Sequence, residues 1–155
     1  MRLVGLDLGR SRIGVAVSDP SGTLATPWRS VNGRGSDREV TERLLELFRA
    51  LEREDSALVG IVLGLPCHLD GRPHEDGGRV KALARALKRR TGLPVSLQDE
   101  RLTSVEAEQR LAQRIGDWRK RKKLLDAASA AIILQEYLDA HPPQGQGLQS
   151  EAEEF

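Results

Sequence analysis

The chain has 155 residues, enough for one domain with a real core, and its 24 basic and 23 acidic side chains nearly cancel, so net charge by itself selects no partner. The single cysteine, Cys67, excludes an internal disulfide framework, and no uncharged apolar run is long enough to span a membrane. A strand-like segment follows Met1 directly, which argues against a secretory signal and makes a cytoplasmic location the expectation.

Arg2 to Leu8 reads as a strand in which Val4, Leu6 and Leu8 point one way and Leu3, Gly5 and Asp7 the other. Asp7 is the anomaly, because a carboxylate in a strand buried on both faces needs a partner or loses its charge. Gly9 to Ser11 forms a turn, and Ile13 to Val17 is the hairpin partner of the first strand. Thr23 to Val31 is a third strand; Pro27 removes a ladder donor, so this strand belongs at a sheet edge. Ser36 and Glu39 have the spacing of a capping box, and Val40, Leu44, Leu47, Phe48 and Leu51 follow at helical spacing.

Leu58 to Leu63 is a continuous apolar run of the kind found in buried parallel strands, and Gly64-Leu65-Pro66 ends it. Cys67 to Gly78 is polar and loop-like. Val80, Leu83 and Leu87 mark a second helix, with Gly92 as its C′ residue. Pro94 to Gln98 is a fifth strand. Thr103 and Glu106 repeat the capping-box spacing, so a helix begins after Arg101-Leu102. A last helix runs from about Trp118 to Asp139, stopped by His141-Pro142-Pro143. Residues 1–140 form one domain, and 141–155 form a flexible acidic tail.

Three strands in a meander followed by strands that return through helices predict an α/β fold. The expected sheet is five-stranded and mixed, of order 3-2-1-4-5, with helices on both faces. Strands one, four and five then share one carboxyl edge, the usual ligand edge of open α/β sheets. Asp7 ends the first of these strands and Asp99-Glu100-Arg101 the last. Asp126 opens LLDAASAAIIL, a helical stretch whose small residues allow close packing on a sheet, with Asp126, Ser129, Ala130 and Ile133 on one stripe.

Three carboxylates gathered at one edge repel one another unless a cation neutralises them, and oxygen-only ligands suit Mg²⁺ or Mn²⁺. Two such ions about 3.5–4 Å apart are a known arrangement for in-line phosphoryl displacement. Each acid alone also has a structural role open to it: a turn acceptor for Asp7, a helix cap for Glu100, helix N-terminal charge for Asp126. His68, His74, Glu75 and Asp76 lack tight ligand spacing, and Cys67 lacks an activating base. Basic side chains are grouped in WRKRKK from Trp118 to Lys123 and at Arg10 and Arg12, as a phosphate-tracking surface would have them.

Four blocks together resemble the signatures of the YqgF/RuvX family: GLDLGRSRIGVAVSD, VLGLP-x-x-x-DG from Val62 to Gly71, DERLTS from Asp99 to Ser104, and DAASAAIILQEYL from Asp126 to Leu138. The resemblance implies a ribonuclease H-like fold. Members of that family are described as Holliday junction resolvases and as nucleases maturing the 5′ end of the small-subunit ribosomal RNA precursor. It further implies metal ligands at Asp7, Glu100 and Asp126, Glu100 being the second residue of D-E-R-L-T. Arg10, Arg12, Arg101, Arg119, Lys120, Arg121, Lys122 and Lys123 would then hold the nucleic acid, with Trp118 stacking on a base. Cys67-His68-Leu69 is an unusual filling of its loop, and no fourth acid is evident. A junction resolvase cuts two strands symmetrically and would act as a homodimer. Two other readings remain: a non-catalytic nucleic-acid-binding module, and an actin- or sugar-kinase-like nucleotide-binding protein in which Asp7-Leu8-Gly9 cradles phosphate.

Overall fold

The computed structural model describes residues 2–9, 11–54, 57–66, 77–100 and 118–142, with backbone alone for Pro66, Glu100 and 118–125. In chain order these form β1 (Arg2–Leu8), β2 (Arg12–Ser18), β3 (Ala25–Asn32), α1 (Asp37–Glu54), β4 (Leu58–Pro66), α2 (Gly77–Thr91), β5 (Val95–Glu100) and α3 (Trp118–Ala140). The sheet order is β3-β2-β1-β4-β5, as the element order predicts. β1, β2 and β3 pair antiparallel, whereas β1, β4 and β5 are parallel.

Local chemistry explains the boundaries. β3 starts at Ala25, later than the apolar pattern suggests, because Asp19 organises the preceding turn. Its carboxylate accepts the amides of Thr23 at 2.8 Å and Leu24 at 2.9 Å, and the hydroxyls of Ser21 and Thr23. Pro27 lies on the edge strand, where the ladder steps from Val15↔Arg29 to Ala16↔Pro27 and leaves Trp28 as the extra residue of a bulge. The Ser36–Glu39 capping box forms in both directions: the Glu39 amide donates to Ser36 Oγ at 3.2 Å, and the Ser36 amide to Glu39 Oε1 at 3.4 Å. Gly92 ends α2 at φ +72°, its amide donating to the Lys88 carbonyl. α2 begins at Gly77, inside the stretch expected to be loop; Gly77 is buried, and a Cβ there would lie 3.7 Å from the Leu65 side chain at the end of β4. β4 and β5 run on to Pro66 and Glu100, beyond their apolar cores. The rest of the expected loop at 67–76, the helix expected after Leu102 and the tail from 143 lie outside the described residues.

Strand alternation divides the core into two layers. Val4 and Leu6 of β1, Ile13, Val15 and Val17 of β2, and Ile61 and Leu63 of β4 pack against the apolar stripes of α1 and α2. On the opposite face Ala16 and Val62 pack against Ala130, Ala131, Ile133, Leu134 and Leu138 of α3, with Leu3 and Tyr137 at the margin. Ala127 through Leu134 are buried without interruption, which is why this middle stretch of the helix is free of charged residues on every side.

Candidate active site

β1 and α3 run antiparallel past each other, and glycines set how closely they approach. A Cβ added at Gly5 would lie 2.7 Å from the Leu134 Cβ and 3.0 Å from the Ala130 carbonyl oxygen. One at Gly14 would lie 1.8 Å from the Asp126 carbonyl oxygen and 2.9 Å from the Ala127 amide nitrogen. Backbone therefore meets backbone where the start of the buried α3 segment crosses β2. The small residues expected on the helix supply only half of this fit; Gly14 supplies the sheet half.

Asp7 is paired directly with Gly14 across the β1–β2 ladder. Opposed residues of an antiparallel pair project to the same face, with Cα atoms roughly 4.5–5.5 Å apart. The face that Gly14 presents to Asp126 is therefore the face on which Asp7 lies. Both acids are half-buried. The chain thus brings two of the three expected acids to one side of the sheet, at the carboxyl end of β1.

The third is fixed by register. Pro66 pairs with Glu100 and Leu65 with Asp99 in the parallel β4–β5 ladder. Val62 faces α3, so positions 64 and 66 do also, and position 100 shares that face by pairing. Asp99 falls on the opposite face. Position 100 stands two strands from β1, about 10 Å across the sheet, at the same carboxyl edge. Its side chain lies outside the described atoms, and among the described residues no three His, Cys, Asp or Glu side chains are grouped to hold a metal ion. Carboxylates are hard-oxygen donors, the chemistry that magnesium or manganese takes and that zinc does not favour.

The turn after Asp7 is held from behind by a residue that sequence reading passed over. Arg79, near the start of α2, donates to the Gly9 carbonyl at 3.1 Å and to the Gly33 carbonyl at 2.6 Å. The Gly9 amide also donates to the Arg12 carbonyl at 2.9 Å, closing the β1–β2 connection. No local pattern announces Arg79, since both of its acceptors are backbone groups far away in sequence.

Of the expected nucleic-acid contacts, Arg12 is exposed at the first position of β2, two residues from Gly14 and on its face. Arg119 to Lys123 belong to the first turns of α3, which run on about 12 Å beyond Asp126. Their side chains, with that of Trp118, and all of Arg10 and Arg101 lie outside the described atoms.

Residues 1–140 match the family described as RuvX, Holliday junction resolvase. A relative from Lactobacillus delbrueckii subsp. bulgaricus, named "Putative pre-16S rRNA nuclease", is 43% identical over 141 residues, 90% of this chain and 96% of its own. Another of the same name from Protochlamydia amoebophila is 39% identical over 140 residues, 90% of this chain and 93% of its own. Among solved structures, Thermus thermophilus RuvC in complex with a Holliday junction substrate aligns over 91% of this chain and 96% of its own. Its TM-score is 0.51 at 18% identity, a likeness of fold.

Proposed function

The chain belongs to the RuvX family, and from that premise we propose that it is a divalent-metal-dependent endonuclease that hydrolyses phosphodiester bonds in structured nucleic acid. The observation that carries this reading is the convergence of Asp7 and Asp126 on one face of the sheet through the Gly14 contact. Asp7, Glu100 and Asp126 would hold Mg²⁺ or Mn²⁺. When bound, such ions lower the pKa of a water and neutralise charge on the phosphate and the leaving oxygen. Arg12, at the same edge, would hold a phosphate oxygen by a charge-assisted hydrogen bond. Arg79 ties the Gly9 carbonyl, two residues after Asp7, to α2.

The substrate favoured here is the precursor of small-subunit ribosomal RNA, because close relatives carry that name. Processing one end needs one cut, whereas resolving a four-way junction needs two symmetric cuts and a two-fold dimer. The test incubates the purified chain with a pre-16S 5′-end RNA and with a four-way DNA junction, in Mg²⁺ or Mn²⁺, beside Asp7→Asn. The expected result is RNA cleavage by the native chain, and binding without cleavage by the variant. Failure of the native chain to cut either substrate, or undiminished cleavage by Asp7→Asn, overturns the reading.

A further inference from the structure

An open groove of roughly 720 Å³ lies where β2 begins and β3 ends, and Ser11, Arg12, Arg29, Ser30, Asn32 and Arg34 contribute to its walls. Among the described residues its lining includes three arginines and no acidic residue. Arg12, Arg29 and Arg34 make no ion pair with another described residue. Arg29 is stacked over the Trp28 ring at 4.6 Å, which limits where its cation can go.

The backbone around the groove is arranged to match. The segment leaving β3 presents three successive carbonyls, at Asn32, Gly33 and Arg34, and all three accept from guanidinium groups of the helical layer. Arg43 of α1 donates to Asn32 O at 3.1 Å and also to Arg34 O, and Arg79 donates to Gly33 O. Groups that would repel an anion are thereby engaged by cations behind the wall. The Asn32 side chain accepts the Arg34 amide at 2.9 Å, and the Gly33 amide donates to the Ser11 carbonyl, so the two walls are tied together. A groove lined by one sign of charge concentrates polyanions.

Position matters as much as charge. Ser30 pairs with Gly14, which pairs with Asp7, so the Ser30 wall of the groove lies about 10 Å from the acidic edge across two strand spacings, while Arg29, paired with Val15, stands at the rim on the other face of the edge strand. We propose that this groove holds backbone phosphates of a polynucleotide strand leading to the acidic edge, with Arg29 and Arg34 as its outer contacts. The proposal rests on the nuclease reading for where the strand goes, and its test is separable from that reading.

Binding of labelled oligouridylate and oligothymidylate is measured against salt concentration in the Asp7→Asn background, so that no cleavage intervenes. Arg29→Ala/Arg34→Ala is compared with Arg85→Ala/Arg89→Ala, which removes the same charge from exposed positions of α2. The groove variant is expected to bind both polymers about tenfold more weakly, with its log–log salt slope reduced by about 1.4, two phosphate contacts fewer. The α2 variant is expected to match its parent. Equal binding by the two variants, an unchanged salt slope, or a loss confined to one polymer overturns the proposal. If the native chain cuts nothing while the groove variant still loses binding, the nuclease reading falls and the groove stands.

Discussion

Replacing Gly14 by alanine tests whether the helix–sheet contact sets the geometry of the acidic edge. The added Cβ would start 1.8 Å from the Asp126 carbonyl oxygen, and ordinary contact begins at 3.4 Å, so one element must retreat by about 1.6 Å. The obstacle is backbone on both sides, so no side-chain rotation relieves it. Overpacking of this kind costs about 1–3 kcal/mol. Asp126 is the residue displaced, and a shift of about 1 Å at a reacting centre costs on the order of 100-fold in rate. Urea denaturation should therefore show a clear loss of stability, and metal-dependent cleavage by the folded fraction should fall by about two orders of magnitude with a smaller change in substrate affinity. Gly78→Ala is the control, because a Cβ there meets nothing within 4 Å; it should leave activity intact and stability equal or slightly raised. A Gly14→Ala protein as stable and as active as the native chain would refute the argument.

Gln135 joins α3 to the edge strand, its Oε1 accepting the Ala25 amide at 2.9 Å and its Nε2 donating to the Thr23 carbonyl at 2.9 Å. Gln135→Ala should cost about 1–3 kcal/mol in denaturant titrations and speed hydrogen exchange at Ala25, with catalysis little affected. The Asp19 carboxyl is held well below the usual carboxylate range, first by the Leu24 amide and then by the Ser21 hydroxyl and Thr23 amide. A depressed folded-state pKa contributes stability above the unfolded value of about 3.9, and the contribution is lost as pH falls further. Asp19→Ala should accordingly unfold at lower urea than the native chain at pH 6, with the gap closing steadily below about pH 4. Arg79→Ala should lower kcat more than it raises KM, because it frees the turn beside Asp7 without removing a substrate contact; Arg79→Lys, lacking the two-pronged donor, should restore only part of the loss.

Much of the architecture was legible because it depends on order and alternation. Three strands without intervening helices favour a meander, and right-handed crossovers through helices place the fourth strand beside the first and parallel to it, with the fifth outside, which is the 3-2-1-4-5 order observed. The two-residue period of Arg2 to Leu8 correctly set Asp7 on the face opposite Val4 and Leu6. What escaped notice carries no periodic signal. Gly14 acts by lacking a side chain, and an absence within Ile13–Val17 looks like ordinary strand composition. Arg79 acts on backbone carbonyls, which every residue possesses, so its partners have no sequence signature. Asp19 did leave a local trace, since an aspartate followed by Ser21 and Thr23 can fold the chain back on its own carboxylate, and that trace accounts for the late start of β3. Choosing Glu100 over Asp99 needed the family resemblance, because parity depends on the β4–β5 register and one residue of slip would exchange the two.

Manganese binding followed by electron paramagnetic resonance bears most directly on whether Asp7, Glu100 and Asp126 form one site. Titrations would compare the native chain with Asp7→Asn, Glu100→Gln, Asp126→Asn and Asp99→Asn, each checked for native helix content. Weakening of at least about tenfold in the first three variants, with native affinity in Asp99→Asn, is the predicted pattern. Native affinity in Asp126→Asn, or a loss in Asp99→Asn that Glu100→Gln does not share, would contradict it.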